Sequence, residues 1–365
     1  MLENWLRPVS ADLLAEMNLH DHQFGKNIQI YRKKMPKMKA GQVALIGLDE
    51  TAADAVRREL YALSFAFRGT TVTDLGNVRR TESDFLLQLI PDLFKSEIIP
   101  IFIGIDPALA LIQYKAHRLH RSAVNPAVAD ERIPYNTGDK HESWLDYVLD
   151  NARSRLFHLS MLGVQTHFLP TGLTDDLAER RHEVVRLGNI RAAIQDTEPI
   201  LRDADTLIFN IAALKAADAP GQNRRTPSGL TTEESCRLTR YAGMSEKLTS
   251  AGFYGFEPDR DRDAQTAQTL AQMIWYFLEG FYNRRNDYPN STDNMAEYVT
   301  HIPGYDWQFT FWRSNKTGRW WLQVPIKTKK SLQRHRLIPC TYEDYTQAVN
   351  GELPERLLNA FARFS

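Results

Sequence analysis

The stretch FNIAALKAADAPG, residues 209–221, decides the fold. Its first residues close the apolar run DTLIFNI (205–211), which has the length of a strand covered on both faces. The small residues and the Ala219-Pro220-Gly221 break that follow read as a loop leaving the strand's carboxyl end. Runs of the same kind stand at QVALIGL (42–48), IIPIFIG (98–104), LFHLSMLGV (156–164) and AGFYGFE (251–257). A weaker one, SAVNPAVAD (122–130), reads as a strand over 122–125 with a loop from Pro126 onward.

Segments with helical spacing separate these runs. TAADAVRRELYALSF follows the first strand, with Thr51 and Asp54 spaced as a capping box, and Thr231 and Glu234 repeat that spacing ahead of a later helix. Residues 174–198 read as one helix, and DAQTAQTLAQMIWYFLEGFYNR as a long amphipathic one. Strand and helix in alternation predict a three-layer α/β fold, a doubly wound, mainly parallel sheet over residues 40–290. Residues 1–39 form an N-terminal extension. After 290 the pattern changes. WQFTFWRSNKTGRWWLQVP (307–325) predicts an aromatic hairpin turning at Asn315-Lys316-Thr317-Gly318, and a last helix follows. Residues 291–365 are therefore expected to be an extension packed on the main domain, whose tryptophans would serve as a partner surface if exposed.

The chain has 365 residues, with 45 lysines and arginines balanced by 45 acids. Such balance excludes a surface built to coat nucleic acid or an anionic membrane. The basic runs YRKKMPKMK (31–39) and KTKKSLQRHR (327–336) read as solvated edges, with a phosphate patch as the alternative. Two cysteines, Cys236 and Cys340, give no disulfide framework or cysteine zinc site. An acid-bearing N-terminus and the lack of any run near the ~20 apolar residues of a membrane span predict a cytoplasmic, soluble protein. His117 and His120 are expected on a solvated helix face, and His158 and His167 in core or edge positions.

Ligands of open parallel sheets bind beyond the strands' carboxyl ends. Asp106, Asp130, Asn210 and Glu257 fall at such ends. Around them the chain resembles the ureohydrolase family of arginase, agmatinase and formimidoylglutamase. DLGNV (74–78), LYALS (60–64), LRDAD (201–205), FNIAALKAADAPG (209–221), TPSGLT (226–231) and GFYGFEP (252–258) carry the likeness, which spans roughly 40–290. The resemblance implies the arginase-like α/β fold. It also implies three metal motifs, Gly-Gly-Asp-His, Asp-Ala-His-x-Asp and Asp-x-Asp, which in the family hold a manganese pair and its bridging hydroxide.

Carried over residue by residue, the first histidine falls on Pro107. The second motif's ligands fall on Pro126, Val128 and Asp130, and the third's aspartates on Asn210 and Ala212. Proline, valine and alanine offer no side-chain donor, so no manganese pair and no other cofactor is expected here. Asp106, Asp130, Asn210 and Glu257 remain as a remnant pocket, with Asp106 and Glu257 either in local hydrogen bonds or salt bridges to arginines such as Arg132, Arg224 or Arg225, or forming a site for an amidine or amine through Glu257. The expected function is that of a non-catalytic, arginase-fold protein with a binding, scaffold or regulatory role, whose partner is a protein or a small amine or amidine. The alternative is a hydrolase of linear amidine C–N bonds, formimidoylglutamase-like or arginase-like.

Overall fold

The computed structural model describes residues 2–67, 69–139, 143–306, 308–324 and 329–364. Among them ten strands build one sheet: β1 (Leu6–Arg7), β2 (Gln29–Ile30), β3 (Val43–Gly47), β4 (Val72–Val78), β5 (Ile99–Ile103), β6 (Pro126–Ala129), β7 (Ser160–Val164), β8 (Glu183–Arg186), β9 (Thr206–Asn210) and β10 (Ser250–Tyr254). Their order is β1-β4-β3-β5-β10-β9-β6-β7-β8, with β2 also on β4. β1 is antiparallel to β4, and the remaining pairings are parallel. The inner strands β3, β5, β9 and β10 are buried at every residue. That explains why they read as unbroken apolar runs instead of alternating ones.

Helices cover both faces: α1 (Glu50–Ala62), α2 (Ser83–Lys95), α3 (Ala110–His120), α4 (Thr197–Asp203), α5 (Thr232–Gly243) and α6 (Gln265–Tyr282). Val56, Leu201, Leu238 and Phe277 of α1, α4, α5 and α6 belong to the core of one face, Leu89 and Tyr114 of α2 and α3 to the core of the other. The capping box at α5 forms both ways, Thr231 Oγ1 accepting from the Glu234 amide and Glu234 from the Thr231 amide. At α1 the cap is Asp49, not Thr51: its Oδ1 accepts from the Ala52 amide at 2.9 Å.

Two segments depart from the sequence reading. The predicted helix over 174–198 is broken by the edge strand β8, whose half-exposed valines sit between charged residues and so mimic a helix face. The predicted strand 122–125 is displaced to 126–129. Pro126 opens β6, a position a proline tolerates because its missing N–H costs no inner ladder bond. The N-terminal segment is stitched to the sheet edge through β1 and β2. No helix among the described residues is long and apolar enough to cross a membrane.

The C-terminal segment folds as a second, antiparallel sheet in the order β11 (Met295–His301), β12 (Gln308–Ser314), β13 (Trp320–Gln323), β14 (Leu337–Cys340). Helices α7 (Tyr342–Val349) and α8 (Glu355–Phe364) close over its aromatic core. The expected hairpin is β12–β13, although Trp307 lies outside the described residues.

This unit docks at the amino-terminal ends of the main strands. Arg202 donates to the carbonyls of Trp320 and Cys340 at 2.9 and 3.1 Å and lies 4.3 Å over the Trp321 ring. Beside it, Lys247 donates to Asp203 and to His335 Nδ1, both at 2.7 Å, and Arg334 pairs with Asp205. The second basic run, expected in solvent, thus buries its end against two buried acids that need cations; residues 325–328 lie outside the described residues. In the first run Arg32, Lys33, Lys34, Lys37 and Lys39 are exposed, as expected.

Candidate strand-end site

β5, β10, β9 and β6 are neighbours in mid-sheet, so their carboxyl ends open on one crevice. Each end contributes one of the polar residues picked from sequence. Asp106 follows β5, Glu257 follows β10, Asn210 closes β9 and Asp130 follows β6.

Asp106 Oδ1 accepts the Ala108 amide at 2.9 Å and caps the short turn Pro107–Leu109. Its charge helps burial push the Tyr254 hydroxyl well above the usual tyrosine range; that hydroxyl donates to Gln113 Oε1 at 2.6 Å. Asn210 caps the next turn, its Oδ1 accepting the Ala212 amide at 3.1 Å. Its Nδ2 donates to Asp130 Oδ2 at 2.8 Å across the two strand ends. Gly255 permits this closeness: it sits at φ +82°, and a Cβ there would lie 2.4 Å from Asn210 Oδ1.

Asp130 also receives Arg224. The guanidinium donates through Nη2 to Oδ1 at 2.9 Å and Oδ2 at 3.2 Å, while its Nε lies 2.9 Å from Glu131 Oε1. Asp130 and Glu131 are 2% and 1% exposed, so both acids are cut off from water. Burial, then the adjacent Asp130, push the Glu131 carboxyl up against the opposing pull of Arg224. The pocket floor is two carboxyl groups, one amide and the Arg224 guanidinium, with Arg132 Nε 3.5 Å from Glu131 Oε1. Glu257, at the other side, pairs with Arg260.

Of the arginines expected to meet the remnant acids, Arg224 and Arg132 do so, but at Asp130 and Glu131 instead of Asp106 and Glu257. Glu131 was missed from sequence. The displaced strand hid it, because with β6 ending at Ala129 the first two residues past the sheet are Asp130 and Glu131.

The ligand positions carried over from the resemblance divide in two. Pro107 and Ala212 do stand at strand ends, each inside a short 3-10 turn. Pro126 and Val128 do not. Pro126 pairs with Thr206 at the amino end of β9 and Val128 belongs to the apolar core, so neither stands in the crevice. Asp130 follows the Ala129–Phe209 pair and so stands level with Asn210.

The donor set does not fit a manganese pair. Hard dications need several anionic oxygens or imidazoles. Here the carboxylate of Asp130 is already taken by a guanidinium and an amide. Among the described residues no group of three or more histidines, cysteines, aspartates or glutamates is arranged to hold a metal. His117, expected on a solvated face, is fully buried: Nε2 lies 2.8 Å from Ser250 Oγ, and burial, then Arg121, push its pKa down to about 3.

No protein-family model matches the chain, and no curated protein matches it by sequence. Solved structures do match. Formimidoylglutamase from Bacillus subtilis subsp. subtilis str. 168 aligns with a TM-score of 0.61 at 18% identity, over 71% of this chain and 92% of that one. Trypanosoma cruzi formiminoglutamase, solved with Mn2+, gives 0.58 at 15% over 67% and 95%. Arginase from Bacillus subtilis gives 0.54 at 18% over 65% and 98%. The chain shares the fold of these ureohydrolases.

Proposed function

We propose that this chain is a non-catalytic member of the arginase-like fold, serving as a binding, scaffold or regulatory protein. The observation that carries the reading is the Asp130–Asn210–Arg224 cluster. In it the carboxylate that would bind a metal is spent on an internal cation and an internal amide. The strand register strengthens it. If Asp130, level with Asn210, is taken as the first aspartate of Asp-Ala-His-x-Asp, the histidine falls on Arg132 and the last aspartate on Pro134. Under either register the motif supplies no imidazole. Without two cations there is nothing to lower the pKa of a bridging water or to stabilise charge at an attacked amidine.

A small amine or amidine is a ligand compatible with Glu257, and it would have to displace Arg260 to reach the carboxylate. The test is elemental analysis after incubation with manganese and removal of free metal, paired with assays for release of urea or formamide. The expected outcome is manganese well below one ion per chain and no manganese-dependent release. Two ions per chain with turnover would overturn the proposal.

A further inference from the structure

A cavity lies at the other end of the sheet, by the amino-terminal ends of its outer strands. It is a cleft of about 660 Å³ between the starts of β7 and β8 and the C-terminal helix α8. Cavities of this size at a junction between folded units are common ligand sites.

Its walls carry a cation with an unspent donor and an acid that is partly open to solvent. Arg363, on α8, is 9% exposed at the side chain. It donates through Nη2 to His158 Nε2 at 2.9 Å and lies 3.6 Å from Asp203, but its Nε–H is buried with no partner. The bond from Arg363 makes His158 Nε2 an acceptor, so Nδ1 holds the proton and donates to the Arg181 carbonyl at 3.0 Å. Glu183, opposite, lies 3.8 Å from His158 Nε2, its side chain is 35% exposed, and against the effect of burial His158, Arg356 and Arg363 hold its carboxyl below the usual range. His182 completes the set. Its Nδ1 accepts the Leu159 amide at 3.3 Å, and burial, then His158, hold the ring neutral, which leaves the proton on Nε2 as a donor. A buried Arg N–H without a partner is costly unless something supplies the acceptor.

We propose that this cleft binds a small zwitterion of amino-acid size, with its anionic end on Arg363 and the His182 Nε2–H and its cationic end on Glu183. A lone anion would meet Glu183, and a lone cation would meet Arg363 and Arg356, so both are disfavoured by like charge. The site is independent of the strand-end crevice and of what that crevice does.

The test is a thermal-shift and calorimetric titration of the full chain with L-glutamine, with acetate and methylammonium as one-charge probes, at ~10 mM and matched ionic strength. The expected result is saturable stabilisation by L-glutamine alone, weakened about ten-fold or more in both Arg363→Gln and Glu183→Gln. Asp175→Asn, at the rim, leaves binding unchanged. Because Arg363→Gln disturbs α8, the Glu183→Gln variant carries the decision if the first fails to fold. If L-glutamine and the other nineteen common amino acids all fail to shift the melting temperature, or if binding survives in Glu183→Gln, the proposal is wrong.

Discussion

Arg224→Met is the most direct probe of the strand-end crevice, because it deletes the internal cation while keeping most of the side chain's volume. Two acids that are 2% and 1% exposed then lose their guanidinium. Removing one partner of a buried ion pair costs roughly 3–5 kcal/mol. Two features reduce that. Arg224 is 20% exposed, so water reaches the gap, and Asn210 still donates to Asp130 at 2.8 Å. The expected loss is therefore about 2–3 kcal/mol in urea unfolding, discounted for that exposure. A double-mutant cycle isolates the cause. Asp130→Asn removes the charge that Arg224 serves, so in the Arg224→Met background it should cost about 1–2 kcal/mol less than in the parent chain. Additivity within about 0.5 kcal/mol would show that the guanidinium does not neutralise Asp130. The double variant also checks the wider reading, since with both charges gone manganese should still give no thermal stabilisation.

The buried histidines predict acid sensitivity. Burial, then Lys247, hold His335 down to about 3, below its unfolded value near 6.5, so the unfolded chain takes up that proton first and stability falls as pH drops below about 6.5. The contribution is about 2 kcal/mol at pH 5. Glu131, raised in the folded state, acts in the opposite sense over this range, so the comparison must be with His335→Asn, whose unfolding energy should fall about 2 kcal/mol less than the parent's between pH 7 and 5. Arg202→Met removes two carbonyl partners and a stacked cation under the C-terminal sheet, and should cost about 3 kcal/mol while making the segment after residue 290 the first to be cut in limited proteolysis. Gly255→Ala should cost roughly 3 kcal/mol or more in thermal unfolding because strain at φ +82° adds to the clash with Asn210. Gly172→Ala, at φ +84° with nothing near its Cβ, should cost only about 1 kcal/mol.

The inner strands were legible because their environment leaves a plain mark: a strand covered on both faces must be apolar throughout, as Val43–Gly47 and Thr206–Asn210 largely are. Where the environment is mixed, the mark fades. β8 is half-exposed and flanked by charge, so it passed for part of a helix. β6 is four residues long and begins with a proline, so its register slipped by four, taking Pro126 and Val128 with it and hiding Glu131. Asp106, Asn210 and Glu257 were found because they follow strongly patterned strands. Arg224 was only one of three arginines named as partners, since it arrives from a loop and no local pattern ties residue 224 to residue 130. The same limit hid the junction cleft, whose walls come from residues about 160 to 200 positions apart.

That difference in legibility has a physical basis that bears on function. A catalytic metal centre is written into a sequence as donors at fixed offsets from strand ends, because the ion demands them there. Neutralisation by an arginine makes no such demand: a long, flexible side chain can reach a buried carboxylate from many places in the chain. At Asn210 a neutral amide stands at the strand end, and Arg224 supplies the positive charge that Asp130 requires. The guanidinium balances the charge of Asp130 from within the chain. A crevice balanced in this way can stabilise the sheet without doing chemistry. The buried donor that still lacks a partner, Arg363 Nε, stands instead at the junction with the C-terminal unit, which is where a ligand would gain most.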